Sequence, residues 1–182
     1  ASIKSLVSAL DNSTCIHSAV ITSSPTYLLW VNNIQVTSNN YNDVTGAVAS
    51  PTVTYNATDN ILTLNRASID GTIINNLDEQ TIEFIDVNTL TGTSGYINSI
   101  NNSAALKLKG MTNGTVTTST LSLDNTVSVT AISGFASVTY DGAYLTASRA
   151  ARYVTGTNAG IKDVEGGIVQ QVTITTAAHY PL

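Results

Sequence analysis

From Tyr27 onward the chain alternates apolar and polar positions in short runs, and the runs are separated by turns rich in Asn, Asp and Gly. A period of two residues is the mark of a strand with one buried face. Leu29, Val31 and Ile34-Gln35-Val36 flank Asn32-Asn33, a pair that tolerates positive φ, so a tight hairpin is expected there. Thr52-Val53-Thr54-Tyr55 faces Ile61-Leu62-Thr63-Leu64 across the polar segment 56–60, which predicts a second hairpin. Ahead of these strands the period changes. Ile3, Leu6, Val7 and Leu10 fall at i, i+3, i+4 and i+7, the spacing of a short helix that Ser2 caps and Asp11-Asn12 end.

A longer repeat runs over this pattern. Ile61-Leu62-Thr63-Leu64, Thr81-Ile82-Glu83-Phe84, Ala105-Leu106-Lys107-Leu108 and Thr126-Val127-Ser128-Val129 recur at intervals of about 20 to 24 residues, and Ser137-Val138-Thr139-Tyr140 has the same texture. Ile73-Ile74-Asn75-Asn76-Leu77 and Tyr96-Ile97-Asn98-Ser99-Ile100 repeat at a similar interval. One such unit cannot bury its apolar side alone, but stacked units share an interior. The expected fold is therefore all-β: a short, right-handed, parallel β-solenoid with a small N-terminal helical cap. Leu62, Leu64, Ile82, Phe84, Leu106, Leu108, Val127 and Val129 would form its inner columns. The alternative is a β-sandwich. The 182 residues suit one domain: cap in 1–26, hairpins and stacked units in 27–149, and an irregular closure in 150–182.

Composition agrees with an all-β chain and narrows its partners. Charged residues make up 10% of the sequence, where an average domain has about 25%. Thr, Ser and Asn fill the deficit, and long helices would need more Glu and Lys on their outer faces. The net charge is −5 and the Lys and Arg residues form no stripe, so no nucleic-acid partner is expected. No apolar run reaches the length of a membrane span. Cys15 is the lone cysteine, so no disulfide staples the chain. An acidic, Lys-poor, Thr- and Asn-rich chain fits an exported bacterial protein at the cell surface or outside the cell. An export signal removed ahead of Ala1 is part of that expectation.

Three blocks in order carry a family resemblance: Leu29-Trp30-Val31-Asn32-Asn33-Ile34-Gln35-Val36-Thr37-Ser38-Asn39, then Val53 to Ile69, then Thr72 to Thr89. Their order and spacing resemble a family of bacterial exported β-helix proteins described as carbohydrate-binding-domain-like. The likeness extends from Tyr27 to about Val129. It departs from the pattern at Asn33, where the family has Gly, and the repeat degrades after Val129. The resemblance implies a secreted, surface-associated parallel β-helix and a carbohydrate ligand, and brings no binding residue with it.

Candidate chemistry is sparse. Cys15 and His17 are too few for a zinc site, which wants four ligands. Neither a nucleophile elbow nor a phosphate loop occurs. Asp70, Asp78, Glu79, Glu83 and Asp86 cluster along the chain. No cofactor is expected, but a Ca²⁺ ion, which takes six or more oxygens, has Asp78, Glu83 and Asp86 as its candidate ligands. With Lys107 or Lys109 beside them, the same acids would suit a Ca²⁺-dependent polysaccharide lyase. For sugar binding the candidates are aromatic, because a flat ring stacks on a pyranose. Alternation exposes Tyr144 among Thr146 and Ser148. Tyr153 would join it as a platform, and Trp30 is displayed or covers an edge. Thr173-Ile174-Thr175 lies too far from other Thr-x-Thr runs to make a regular face. The leading function is a non-catalytic module that binds a polysaccharide or surface glycan, or acts in adhesion. The alternatives are the lyase-like enzyme and a structural surface spacer.

Overall fold

The computed structural model describes residues 23–46, 52–112 and 115–176. Seventeen strands follow one another there with no helix among the described residues. They are β1 (Thr26–Val31), β2 (Ile34–Thr37), β3 (Val53–Asn56), β4 (Ile61–Asn65), β5 (Ser68–Asp70), β6 (Ile73–Asn75), β7 (Glu79–Ile85), β8 (Val87–Thr91) and β9 (Ile97–Asn98). They continue as β10 (Ala105–Met111), β11 (Thr120–Asp124), β12 (Ile132–Ser133), β13 (Ser137–Asp141), β14 (Ala143–Ala147), β15 (Ala151–Val154), β16 (Gly160–Asp163) and β17 (Gln171–Thr176).

Three sheets result. The first has the order β15-β16-β12-β9-β6-β1-β2, the second β13-β10-β7-β4-β3, and the third β14-β17-β11-β8-β5. Both expected hairpins are present. Asn32 and Asn33 take φ of 47° and 63° between β1 and β2, and β3 pairs with β4 from Val53↔Leu64 to Asn56↔Ile61.

The expected parallel solenoid is not what forms. Every sheet mixes directions. Antiparallel pairs β1–β2, β1–β6, β12–β16 and β15–β16 occur in the first sheet, β3–β4 in the second, and β11–β17 and β14–β17 in the third. The architecture is a mixed three-sheet β fold. Parallel ladders such as β4–β7–β10–β13 lie inside it but do not close into a uniform coil. The physical reason is that side-chain alternation carries no direction. A strand buries the same alternate residues whether its neighbour runs with it or against it. The segment 150–182, expected to be irregular, supplies β15 and two inserted antiparallel strands: β16 between β12 and β15, and β17 between β11 and β14. The N-terminal helical cap at residues 3–10 falls outside the described residues.

The core is continuous across all three sheets. Leu62 and Leu64 lie beside Ile82 and Phe84, and Leu108 follows on Ile82. All are fully buried, and each such side chain contributes roughly 1.5–3 kcal/mol by leaving water. The next column is not Val127 and Val129, which are half-buried in a bend outside any strand. Val138 and Tyr140 of β13 take that place beside Leu106 and Leu108. Buried Asn88 seals a corner. Its Oδ1 accepts from the Ala67 amide at 2.8 Å, and its Nδ2 donates to the Ile85 carbonyl at 2.9 Å.

Tyr140 closes the β13 edge of this core, and its buried hydroxyl has no hydrogen-bond partner among the described residues. Burial, with Tyr153 adding to it, pushes its phenol up to about 12. In the unfolded chain the phenol ionises near pH 10. Between pH 10 and about 12 the folded form therefore holds the extra proton, and stability falls as pH rises through that window. Tyr140→Phe should remove part of this alkaline loss. It should be at least as stable as the parent at neutral pH, because no hydrogen bond is given up. Urea unfolding of both proteins at neutral pH and between pH 10 and about 12 checks this. An equal alkaline loss in the two would show that the phenol is solvated.

Candidate functional site, the outer face of the third sheet

In the third sheet every second residue points away from the core, and most of those residues carry hydroxyls. Thr146 stands opposite Thr173, Thr173 opposite Ser122, Ser122 opposite Thr89, and Thr89 opposite Ser68. Each of the five strands thus contributes one hydroxyl at one register position. Hydrogen bonds tie the row together. Ser122 Oγ and Thr173 Oγ1 lie 3.2 Å apart, Thr89 Oγ1 donates to Ser68 Oγ at 3.4 Å, and Thr146 Oγ1 donates to the Thr173 carbonyl at 3.0 Å.

A second row runs beside it: Tyr144, Thr175, Thr120 and Val87. Tyr144 is 48% exposed, as alternation predicts, and its neighbours are hydroxyl residues. On the other flank Gln171 lies opposite Asp124 and donates to its Oδ1 at 2.8 Å, while Thr91 lies opposite Asp70. A shallow groove of about 340 Å³ lies over β14, β17 and β11 on this face, lined by Ser122, Asp124, Thr146, Ser148, Gln171 and Thr173 among others. A neighbouring groove of about 350 Å³ shares Ser148 and Gln171 with it and reaches Arg149 and Asp163. There Asp163 Oδ1 accepts the amides of Gly167 at 2.8 Å and Glu165 at 3.0 Å, and Arg149 lies 3.5 Å from Oδ2. The Gly167 amide, then that of Glu165, holds this carboxyl below the ordinary range, with Arg149 adding to it.

The other sequence candidates lie elsewhere. Tyr153 does not join Tyr144, because β15 belongs to the first sheet. Its hydroxyl donates to the Phe135 carbonyl at 2.9 Å and accepts the Phe135 amide at 2.8 Å. Burial pushes that phenol up, and its work is to tie β15 to the segment after β12 rather than to display a ring. Trp30 is half-buried on the first sheet, opposite Gln35 and Ile74. It sits near the exposed Leu28, on a different face from Tyr144.

The three proposed Ca²⁺ ligands each engage a different partner. Glu83 points outward on β7 and takes a hydrogen bond from Lys109 Nζ at 2.8 Å; Lys107 lies opposite Thr81 instead. That bond raises the Lys109 ammonium above its usual value. Asp86 sits at a corner with φ of 64° and accepts from Arg66 Nε at 2.7 Å, which lowers its carboxyl. Asp78 meets Asn101 Nδ2 at 3.4 Å. Among the described residues no group of three or more Asp, Glu, His or Cys side chains is placed to hold a metal. Cys15, His17 and His179 fall outside the described residues.

Sequence reasoning missed the hydroxyl row. Thr173-Ile174-Thr175 was expected to stand alone, yet β17 lies between β11 and β14 and brings it against Thr120-Leu121-Ser122 and Tyr144-Leu145-Thr146. The available signal was the shared polar-apolar-polar triplet in three segments distant in sequence. No family model matches the chain, and neither does any curated protein or solved structure.

No helix among the described residues is long and apolar enough to cross a membrane.

Proposed function

We propose that this chain is a non-catalytic, exported or cell-surface module that holds a glycan on the outer face of its third sheet. The observation that carries the reading is Tyr144, half-exposed at the head of aligned rows of Thr and Ser hydroxyls. A ring of this kind stacks on the apolar face of a sugar. Hydroxyls beside it both donate and accept, as sugar hydroxyls do. The low Lys content and Thr-rich strands support an extracellular setting. A binding role fits the pairing of the charged groups named above, since Glu83, Asp86 and Asp163 each face a cation.

A panel of soluble polysaccharides, tested by affinity electrophoresis with the parent and Tyr144→Ala, checks the proposal. The variant should keep its fold, because Tyr144 lies outside the core, and should bind roughly 2- to 12-fold more weakly. A panel with no binder, or a variant that binds as well as the parent, counts against it.

A further inference from the structure

The face described above fixes more than a ligand class, and we infer from it the direction, span and charge of the ligand. Resting on the glycan-binding reading, the inference is a neutral, extended polysaccharide that runs across the strands, along the row Thr146–Thr173–Ser122–Thr89–Ser68. Three observations lead there.

The first is register. The five hydroxyls come from five adjacent strands at matched positions, so the row lies perpendicular to the strands. At ~4.8 Å between strands the row is about 19 Å long. An extended pyranose chain advances by close to one strand spacing per ring, so rings and hydroxyls stay in step along the row. A chain laid parallel to the strands would leave the row after one hydroxyl.

The second observation is the shape of the flanks. Tyr144 rises on one side of the row, while Gln171 and Asp124 lie on the other. The shallow groove is lined by Ser122, Thr146 and Thr173 together with Gln171 and Asp124, so ring edges meet the hydroxyls there, while Tyr144, two residues before Thr146 on β14, offers its face at that end of the row.

The third is charge. The flanks carry Asp124 and Asp70, none of the paired outward positions of this sheet holds Lys or Arg, and the nearby Arg149 faces Asp163. With a chain charge of −5, a uronic-acid or sulfated polymer would be repelled from this face.

The test uses linear β-linked glucose, mannose and xylose oligomers of graded length, with polygalacturonate as the anionic probe, measured by calorimetry. For the neutral series that binds, affinity should climb with each added ring and level off at about five, the number of strands crossed. Polygalacturonate should bind more weakly than that series. The double variant Ser122→Ala/Thr173→Val removes two central hydroxyls at little cost in shape. It should lose about tenfold in affinity for the longest oligomers. Affinity that does not depend on length, preference for the anionic polymer, or a double variant that binds as tightly as the parent each overturns the inference while leaving glycan binding in place. If no oligomer or polymer binds at all, the underlying reading fails with it.

Discussion

Phe84→Ala is expected to lower the free energy of unfolding by about 3–5 kcal/mol. The ring is fully buried at the centre of the second sheet, between Leu64 on β4 and Gly110 on β10. Its neighbours are already closed around it. A Cβ built on Gly110 would lie 3.3 Å from Phe84 Cζ and would run into the Thr176 methyl. With the ring gone, the fixed parallel ladders on both sides cannot move in to fill the space. The loss is then a transfer term plus a cavity term. It is a large share of the roughly 5–15 kcal/mol that holds an ordinary domain together. Urea titration should show a lower midpoint at unchanged slope. A loss under about 1 kcal/mol would mean that the ring is not part of a packed interior.

Gly134→Ala should be the second severe change, and Gly156→Ala is its control. Both glycines have positive φ, 77° and 96°. Both alanines therefore take on the left-handed strain of roughly 1–2 kcal/mol. Only at Gly134 would the new Cβ meet a carbonyl, that of Ser99, whereas nothing lies within 4 Å at Gly156. Displacing backbone at a packed corner adds about 1–3 kcal/mol. Side-by-side thermal unfolding should show Gly134→Ala melting well below Gly156→Ala. Equal melting temperatures would show that the turn after β12 does not pack against Ser99.

What the chain discloses about itself follows from what alternation can and cannot encode. Leu62, Leu64, Ile82, Phe84, Leu106 and Leu108 are buried where their period places them, because inward and outward positions are a local property of a strand. Asn32-Asn33 marks its hairpin because positive φ is a local demand. Direction and partnership are not local. Nothing in Gln171–Thr176 says that it will run antiparallel between β11 and β14, so the mixed sheets, and the pairing that lines its polar-apolar-polar triplet up with those of its neighbours, could not be read from the sequence. Val127 and Val129 kept the strand period yet lie in a bend, and β13 fills the column expected of them. Tyr144 was legible as exposed, since its alternation is unbroken. Tyr153 was not legible as a strut, because the Phe135 backbone it holds is distant in sequence.

The most direct test of the proposed binding face is a residue-resolved footprint. Amide hydrogen exchange, or NMR shift mapping, would be recorded with and without the neutral polysaccharide that binds most tightly in the panel. Protection or shifts should concentrate in Thr120–Asp124, Ala143–Ala147 and Gln171–Thr176, with Val87–Thr91 following. The second sheet's outer face, at Thr81, Lys107 and Thr139, should be unchanged. A footprint centred on that second sheet or around Trp30, or no footprint with any polysaccharide of the panel, would contradict the assignment of the third sheet as the binding face.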